Sequence, residues 1–214
     1  MKTVWIIGAG RFGCLALERL SRLHPAWQFV MVDKEDKDPD MPEVSNAVFE
    51  HEDGIDFLKD NLKPDSRVSW IIPSLPVHMA FEWCALKMGE DRIQRLVLPQ
   101  ELDCMLPNPM HGENGDLYVS NADFICPSDC AEPADICTMT GRPRKQDMFD
   151  RIRSLSYEDF RPAVLRSRQL GPGVGGLTPD QLYGLLNTLE QERADFLVAT
   201  ACRCHGVVTG ARTL

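Results

Sequence analysis

Residues 2–13 read KTVWIIGAGRFG, an apolar run followed by three closely spaced glycines. The run Val4–Ile7 consists of β-branched and aromatic residues, which predicts a buried parallel strand. Arg11–Leu23 then repeats apolar side chains at helical spacing, which predicts a helix that ends before Pro25. A glycine-rich turn thus joins a strand directly to a helix, and its glycines are Gly8, Gly10 and Gly13.

The three glycines form the pattern G-x-G-x-x-G in the setting where it binds a dinucleotide. Gly8 permits the tight turn, Gly10 lets the backbone approach a pyrophosphate, and Gly13 lets the helix pack against the sheet. The free N–H groups at the start of the helix then point toward the phosphate charge. The alternative is a strand-to-helix turn that holds no ligand. The predicted cofactor contacts from this turn are Gly8, Ala9, Gly10, Arg11, Phe12 and Gly13.

Asp33 lies twenty residues beyond Gly13, at the end of a second predicted strand, Gln28–Val32. A carboxylate at this position accepts hydrogen bonds from the ribose hydroxyls of the adenosine and repels a 2′-phosphate. We therefore expect NAD rather than NADP. The neighbouring Lys34 is a further candidate contact, and because a cation can serve a phosphate it keeps NADP open as the alternative.

Further predicted strands alternate with predicted helices. The strands are Val44–Glu50, Val68–Ile72 and Leu96–Leu98, and the helices are Asp53–Leu62 and Val77–Met88. Strands separated by single helices favour a parallel, right-handed, doubly wound sheet. The predicted fold class is therefore α/β, with a dinucleotide-binding domain over residues 1–103.

The motifs IIGAGRFG at 6–13 and MVD at 31–33 resemble those of the TrkA-N-like nucleotide-binding domains of potassium-channel regulators. They are more loosely similar to those of saccharopine-dehydrogenase-like oxidoreductases. The resemblance covers about half the chain and implies a Rossmann fold with an NAD(P) site. It identifies a nucleotide site rather than a reaction, because many unrelated functions use this scaffold.

Five of the eight cysteines lie in two tight groups in the second half of the chain. The first group has the spacing C-x3-C-x6-C in a proline-containing loop. The second follows a predicted strand over 196–201, whose alternation would put two sulfurs on one face, where they close a site opened by the loop. Cys14, Cys84 and Cys104 are scattered. The grouped cysteines are Cys126, Cys130 and Cys137 in the loop and Cys202 and Cys204 after the strand.

Soft thiolates select zinc or iron–sulfur centres over hard cations. The five grouped cysteines and His205 are therefore the predicted metal ligands. Their spacing matches neither a zinc ribbon nor a ferredoxin, so zinc and an iron–sulfur cluster both remain alternatives. The sequence Cys126-Pro127 and a redox cofactor nearby favour iron–sulfur. Thiols that bind no metal, and a dithiol–disulfide pair of Cys130 and Cys137, are also compatible with the pattern. The stretches CPSDCAEPADICTMTG and ATACRCHG resemble uncharacterised bacterial proteins with an NAD-binding front half.

The loop after the fourth predicted strand, over 72–78, contains two further candidates. In a parallel sheet this loop lies at the carboxyl edge, near the position of a nicotinamide ring. Pro73 is therefore a predicted cofactor contact, and His78 is the predicted catalytic acid–base because imidazole titrates near neutral pH. The alternative is a histidine that packs or caps within the first helical turn.

Residues 104–214 are expected to form a smaller, cysteine-rich α+β half. Its predicted elements are a strand over 117–125, helical segments over 148–155 and 161–168, a mobile glycine-rich loop over 170–176, and a strand over 196–201 that returns to the sheet. A helix over 179–194 begins with Pro179 after Thr178, a favourable cap.

The net charge of −9 and the isoelectric point near 5.0 argue against nucleic acid and anionic membrane surfaces as partners. The chain lacks both a signal-like apolar segment and an apolar run of the ~20 residues that a membrane span needs. We therefore expect a cytoplasmic protein without membrane insertion. NAD(H) is the expected small-molecule partner, a redox or membrane-transport protein is a candidate protein partner, and homodimerisation is the base-rate expectation.

Two functions follow from these patterns. The leading hypothesis is an NAD(H)-binding redox protein, and hence a candidate NAD-dependent oxidoreductase, with a thiolate-ligated iron–sulfur or zinc centre. The alternative is a non-enzymatic, NAD-responsive regulator of the TrkA-N type in which zinc is structural. The sequence names no substrate for either function.

Overall fold

A computed structural model describes residues 2–37 and 41–214. The chain is a mixed α/β protein whose first half contains a parallel four-stranded sheet in the order β3-β2-β1-β4. Helix α1 follows β1, α2 follows β3 and α3 follows β4. The strands are β1 (Thr3–Ile7), β2 (Gln28–Asp33), β3 (Ala47–His51) and β4 (Val68–Pro73), and the helices are α1 (Arg11–Leu23), α2 (Gly54–Asn61) and α3 (Met79–Met88).

Three strands of this sheet end together at its carboxyl edge. Ile7 of β1 pairs with Val32 of β2 and with Pro73 of β4. The backbone N–H of Gly8 then donates to the Val32 carbonyl at 2.8 Å, and that of Ser74 donates to the Ile7 carbonyl at 2.8 Å. The register therefore brings the glycine turn, Asp33 and the loop after β4 to one edge, as the sequence predicts.

Alternate residues of the parallel strands pack into two different apolar clusters. Val4 and Ile6 pack with Leu17 of α1. Ile7 packs with Phe57 of α2 and with α3. Because neighbouring residues of a strand point to opposite faces, helices cover both faces of the sheet.

The second sheet has six strands, of which β6, β7, β12, β11 and β8 lie in that order and β5 pairs with β12. The pairing of β11 with β8 is parallel and the remaining pairings are antiparallel. Apolar residues of β11 and β12, such as Phe196 and Ala211, share a buried cluster with α3 of the first half. The strands are β5 (Ile93–Leu96), β6 (Met110–His111), β7 (Leu117–Ser120), β8 (Arg161–Arg166), β11 (Asp195–Ala201) and β12 (His205–Thr213).

The expected fifth strand of the parallel sheet is a correction. The strand forms at Ile93–Leu96 rather than at Leu96–Leu98, and it pairs antiparallel with β12 in the second sheet. Val97 is 92% exposed, so the apolar run that suggested a buried strand is not buried throughout. The expected domain boundary at residue 103 stays a prediction, and β5 lies before it.

Several further expectations in the second half are wrong. The strand expected over 117–125 ends at Ser120, and Ile125 is 97% exposed. The strand expected over 196–201 forms as β11, but it pairs with β12 and β8 in the second sheet and does not return to the parallel sheet.

Residues 161–168 do not form a helical segment, because Ala163 and Leu165 are buried with the two-residue period of the strand β8. The glycine-rich segment 170–176 is not a loop but a hairpin of β9 (Arg168–Gly171) and β10 (Val174–Gly176). Gly173 permits the turn, since its φ is +68°.

The remaining helices of the second half are confirmed. Helix α4 spans Met148–Arg153, and helix α5 spans Pro179–Gln191. A reciprocal capping box of Thr178 and Gln181 stabilises the start of α5. Nowhere in the described part of the chain is there a helix both long and apolar enough to cross a membrane.

Candidate functional site

The glycine turn leaves open space above Gly10. Gly10 has a φ of −66°, and a Cβ atom placed on it would meet no other atom within 4 Å. Gly13 differs, because a Cβ atom there would lie 1.9 Å from the carbonyl oxygen of Gly8. The turn therefore combines close packing of helix on strand with an accessible backbone, which are the two properties that a bound pyrophosphate requires.

The Asp33 carboxylate lies directly beside this turn. Its Oδ2 atom accepts the backbone N–H of Ala9 at 2.5 Å, and its Oδ1 atom accepts that of Glu35 at 3.0 Å. The carbonyl of the adjacent Lys34 lies 2.7 Å from the Nε2 atom of His51. Asp33 is thus held in position by the backbone, and its partial exposure leaves it available to a ribose hydroxyl.

A cavity of about 790 Å³ opens where the parallel sheet meets the cysteine loop. Phe12 of the glycine turn and Pro73 at the end of β4 line one part of it. All five grouped cysteines and His205 line it as well. We call this space the thiol cavity. The structure therefore brings together residues that the sequence separates by up to 193 positions, from Phe12 to His205.

Cys202 and Cys204 reach the cavity by a route that differs from the expected one. They lie in the turn between β11 and β12 and not on a strand face. The Cys202 sulfur accepts the backbone N–H groups of Cys204 at 3.4 Å and His205 at 3.3 Å. The Cys130 sulfur has one such donor, the backbone N–H of Glu132 at 3.4 Å. Backbone donors that surround a sulfur in this way stabilise thiolate charge.

The electrostatics of the loop thiols differ from one sulfur to the next. Burial raises the pKa of Cys126, and the charges of Cys130, Cys204 and Cys137 raise it further, so these sulfurs lie within electrostatic reach of one another. Hydrogen bonds from Thr140 lower the pKa of Cys137. A cation among these sulfurs would relieve their mutual repulsion.

The turn thiols are less readily ionised. Burial, followed by Glu132, raises the pKa of Cys202 to about 12. Burial also raises the pKa of Cys204, and the Arg144 guanidinium opposes this by donating from Nη2 to the sulfur at 3.1 Å. Arg144 and Glu132 are charged neighbours of the thiols that cysteine spacing does not reveal, since the contact from Arg144 to Cys204 joins residues 60 positions apart.

These donors suit a soft metal in chemical type, but they do not form a closed site as they stand. Within residues 2–37 and 41–214, no three His, Cys, Asp or Glu side chains are placed so that they hold one ion together. A single zinc ion needs its sulfurs about 2.3 Å away and therefore close to one another. To bind a single ion, residues 121–147, which link β7 to α4, would have to move so that their sulfurs lie closer together. An iron–sulfur cluster is wider, so it would need a smaller movement.

Residues 79–214 match the profile of the family AF_1314_C, whose description is "Uncharacterized protein, C-terminal domain". The chain belongs to this family. A protein of Archaeoglobus fulgidus, described as "Uncharacterized protein", is 31% identical over 229 aligned residues that cover 97% of this chain and 98% of that protein. No solved structure matches the chain.

The region that matches AF_1314_C begins at the first residue of α3 and contains every predicted metal ligand. The glycine turn lies outside this region, but the alignment with the archaeal protein covers nearly the whole chain. The likeness to that protein therefore extends over both the parallel sheet and the thiol cavity.

His78 does not reach the thiol cavity. It is 2% exposed, and its Nδ1 and Nε2 atoms lie 2.7 Å from Thr209 Oγ1 and 2.9 Å from Thr200 Oγ1. Burial lowers its pKa to about 4, against the opposing charge of Asp116. These contacts give His78 a packing role in the core at the start of α3, which was the alternative to an acid–base role.

Proposed function

We propose that this AF_1314_C family protein binds NAD(H) on the glycine turn and is a redox protein with a thiolate-ligated metal centre in the thiol cavity. One observation carries the proposal. Phe12 and Pro73, from the edge where a dinucleotide would lie, line the same cavity as the five grouped cysteines. A redox cofactor and a thiolate centre would therefore share one space.

The nucleotide part of the proposal rests on the parallel sheet. Its strand order, β3-β2-β1-β4, and the helices on both of its faces are those of one half of a doubly wound, Rossmann-type sheet. The open space above Gly10 and the carboxylate of Asp33 supply the expected contacts to pyrophosphate and ribose. The adenosine end would lie at Asp33 and the nicotinamide end toward Pro73.

The metal part rests on the donor set. Four or more of the five cysteines, with His205 as a further ligand, would hold the centre. When bound, an iron–sulfur centre supplies one-electron transfer and a zinc ion supplies Lewis acidity. The residues of the chain hold the sulfurs in position, through backbone N–H groups at Cys130 and Cys202 and through the Arg144 guanidinium at Cys204.

One observation favours the alternative function, a non-enzymatic NAD-responsive regulator with structural zinc. The acid–base residue predicted from the sequence, His78, has both ring nitrogens bonded within the core. A regulator needs no proton donor at the cavity, whereas an oxidoreductase that acts on a carbonyl or an alcohol does.

Anaerobic purification followed by metal analysis and titration with NADH tests the proposal. A brown protein that contains iron and bleaches on NADH addition is expected for an iron–sulfur centre. Because NADH gives up two electrons and one proton, one NADH should reduce two one-electron centres. The Gly10→Val protein is the control, since it should keep its iron and remain unbleached by NADH.

A colourless protein with stoichiometric zinc that binds NADH without oxidising it favours the regulator. A protein that binds neither nucleotide nor metal overturns the proposal.

A further inference from the structure

The walls of the thiol cavity are basic in an acidic protein. The chain carries 23 Lys and Arg against 32 Asp and Glu. Seven of these cations, but only two of the carboxylates, line the thiol cavity or a smaller recess beside it. Such a reversal of local charge favours an anion within this space.

The recess has a volume of about 340 Å³, and we call it the arginine recess. Arg166, Arg168 and Arg203 line it, and Glu132 is its single carboxylate. It adjoins the thiol cavity, because Glu132, Ser167 and Gln169 line both spaces. An anion in the recess would therefore lie next to the thiols.

Two of the three arginines have no carboxylate partner among the residues that the structure describes. Arg203 donates to Asp147 at 2.5 Å, and the Glu132 carboxylate already accepts the backbone N–H of Arg203 at 2.5 Å. In the portion of the chain that the structure describes, no carboxylate pairs with Arg166 or Arg168. Within those described residues, both guanidinium groups therefore have donors available for a ligand.

One side of the arginine recess, at Arg166, is held in position by its surroundings, whereas the Arg168 side chain is exposed. The Arg166 guanidinium lies 4.3 Å from the centre of the Phe149 ring, which orients it by a cation–π contact. The Arg166 carbonyl accepts from Gln181 Nε2 at 2.9 Å, and the next residue, Ser167, donates its N–H to Ala201 at 2.9 Å. Oriented guanidinium groups bind planar oxyanions in a bidentate manner.

We infer that Arg166 and Arg168 form a binding site for the carboxylate or phosphoryl group of a small anionic substrate, with the rest of that substrate directed into the thiol cavity. That the anion belongs to a redox substrate rests on the proposed function, whereas anion binding by the arginine recess does not. The two can therefore fail separately.

Calorimetric titration with inorganic phosphate and, separately, with succinate tests the inference at constant ionic strength and without nucleotide. We expect one of the two anions to bind with one-to-one stoichiometry at millimolar concentration, and this preference distinguishes a phosphoryl from a carboxylate group. Arg168→Gln should raise the Kd about tenfold or more, because a charge-assisted bond is lost. Arg168→Lys should restore only part of the affinity, since it keeps the charge but not the planar fork.

The matched control is Arg22→Gln, which removes the same charge from a side chain that is 77% exposed on α1. It should leave the Kd unchanged. Binding of neither anion, or an equal loss in Arg168→Gln and Arg22→Gln, would overturn the inference. Loss of anion binding in Gly10→Val would also overturn it, because the anion would then occupy the glycine turn. If the natural protein binds one of these anions but neither NAD(H) nor metal, the inference stays intact while the proposed function is contradicted.

Discussion

The Nδ1 atom of His78 lies 2.7 Å from the Oγ1 atom of Thr209, and this contact joins the start of α3 to the middle of β12. Thr209 in turn donates to Asp116 at 2.5 Å, and Asp116 pairs with Arg95. Because the Thr209 hydroxyl proton is committed to Asp116, its oxygen must accept from His78 Nδ1–H. The Nε2 atom is then the acceptor for Thr200, so the neutral imidazole satisfies both of its neighbours.

This network predicts a loss of stability in acid. The pKa of His78 in the folded protein, about 4, lies below the ordinary value of 6.5, because of burial and the nearby Arg95, although Asp116 opposes the shift. Between these pH values the unfolded chain takes up a proton that the folded protein does not. The free energy of unfolding should therefore fall by up to about 3 kcal/mol as the pH is lowered from 7 toward 4.

Urea unfolding across this pH range, with His78→Gln beside the natural protein, measures that contribution. The variant should be less stable at pH 7 but should lose less stability in acid. His24→Gln is the control, because His24 lies outside this network and stacks on Trp27; it should change the pH profile less than His78→Gln does. Parallel pH profiles for the natural protein and His78→Gln would contradict the prediction.

The glycine turn predicts opposite outcomes for two substitutions only three residues apart. Gly10→Val should fold normally and lose NAD binding, because its side chain enters open space that the pyrophosphate requires. Gly13→Ala should be destabilised by roughly 1–3 kcal/mol, since overpacking against the Gly8 carbonyl outweighs the gain in helix propensity of about 1 kcal/mol. Circular dichroism and thermal unfolding, together with NAD calorimetry, separate the two effects. Unfolded Gly10→Val would show that this glycine is structural.

We expect the Asp33 carboxylate to make the protein prefer NAD to NADP. Asp33→Asn should weaken NAD binding about tenfold and NADP binding far less, because a charged acceptor for the 2′-hydroxyl is lost and NADP carries a phosphate there. Asparagine is the informative substitution, since its amide oxygen retains an acceptor for the Ala9 N–H. Calorimetry with both nucleotides measures the difference. An equal loss for NAD and NADP would remove Asp33 from the ribose site.

If the thiol cavity holds a metal, Cys130→Ser should remove the metal and lower the Tm, because metal binding contributes to the folding free energy in such sites. Metal analysis and thermal unfolding are the measurements. Cys104→Ser is the suitable control, since Cys104 is exposed and does not line the thiol cavity. Cys14 donates to the Ala9 carbonyl and Cys84 is buried in the core, so changes there would alter the fold as well. If Cys130→Ser kept its metal content, the grouped thiols would have a role other than metal binding.

Local patterns predicted the elements whose stabilising contacts are local. The strand–glycine–helix turn follows from residues 2–23, and the start of α5 follows from Thr178 and Pro179. Caps and tight turns bond within a few residues, so their signals lie in short windows of sequence. The same reasoning fails at 161–168, where the sequence predicts a helix but a strand forms. The partner strand β11 lies far along the chain, so no local signal reports the pairing.

The sequence by itself determined the parallel sheet, the glycine turn with Asp33 at its edge, and the five cysteines available to form a site. Tertiary structure alone decided that Phe12 and Pro73 line one cavity with those cysteines, that the second cysteine pair lies in a turn, and that His78 is buried. It also decided that β5 pairs in the second sheet. The physical reason is that strand pairing and burial depend on contacts between distant residues, whose free energies no short window of sequence contains.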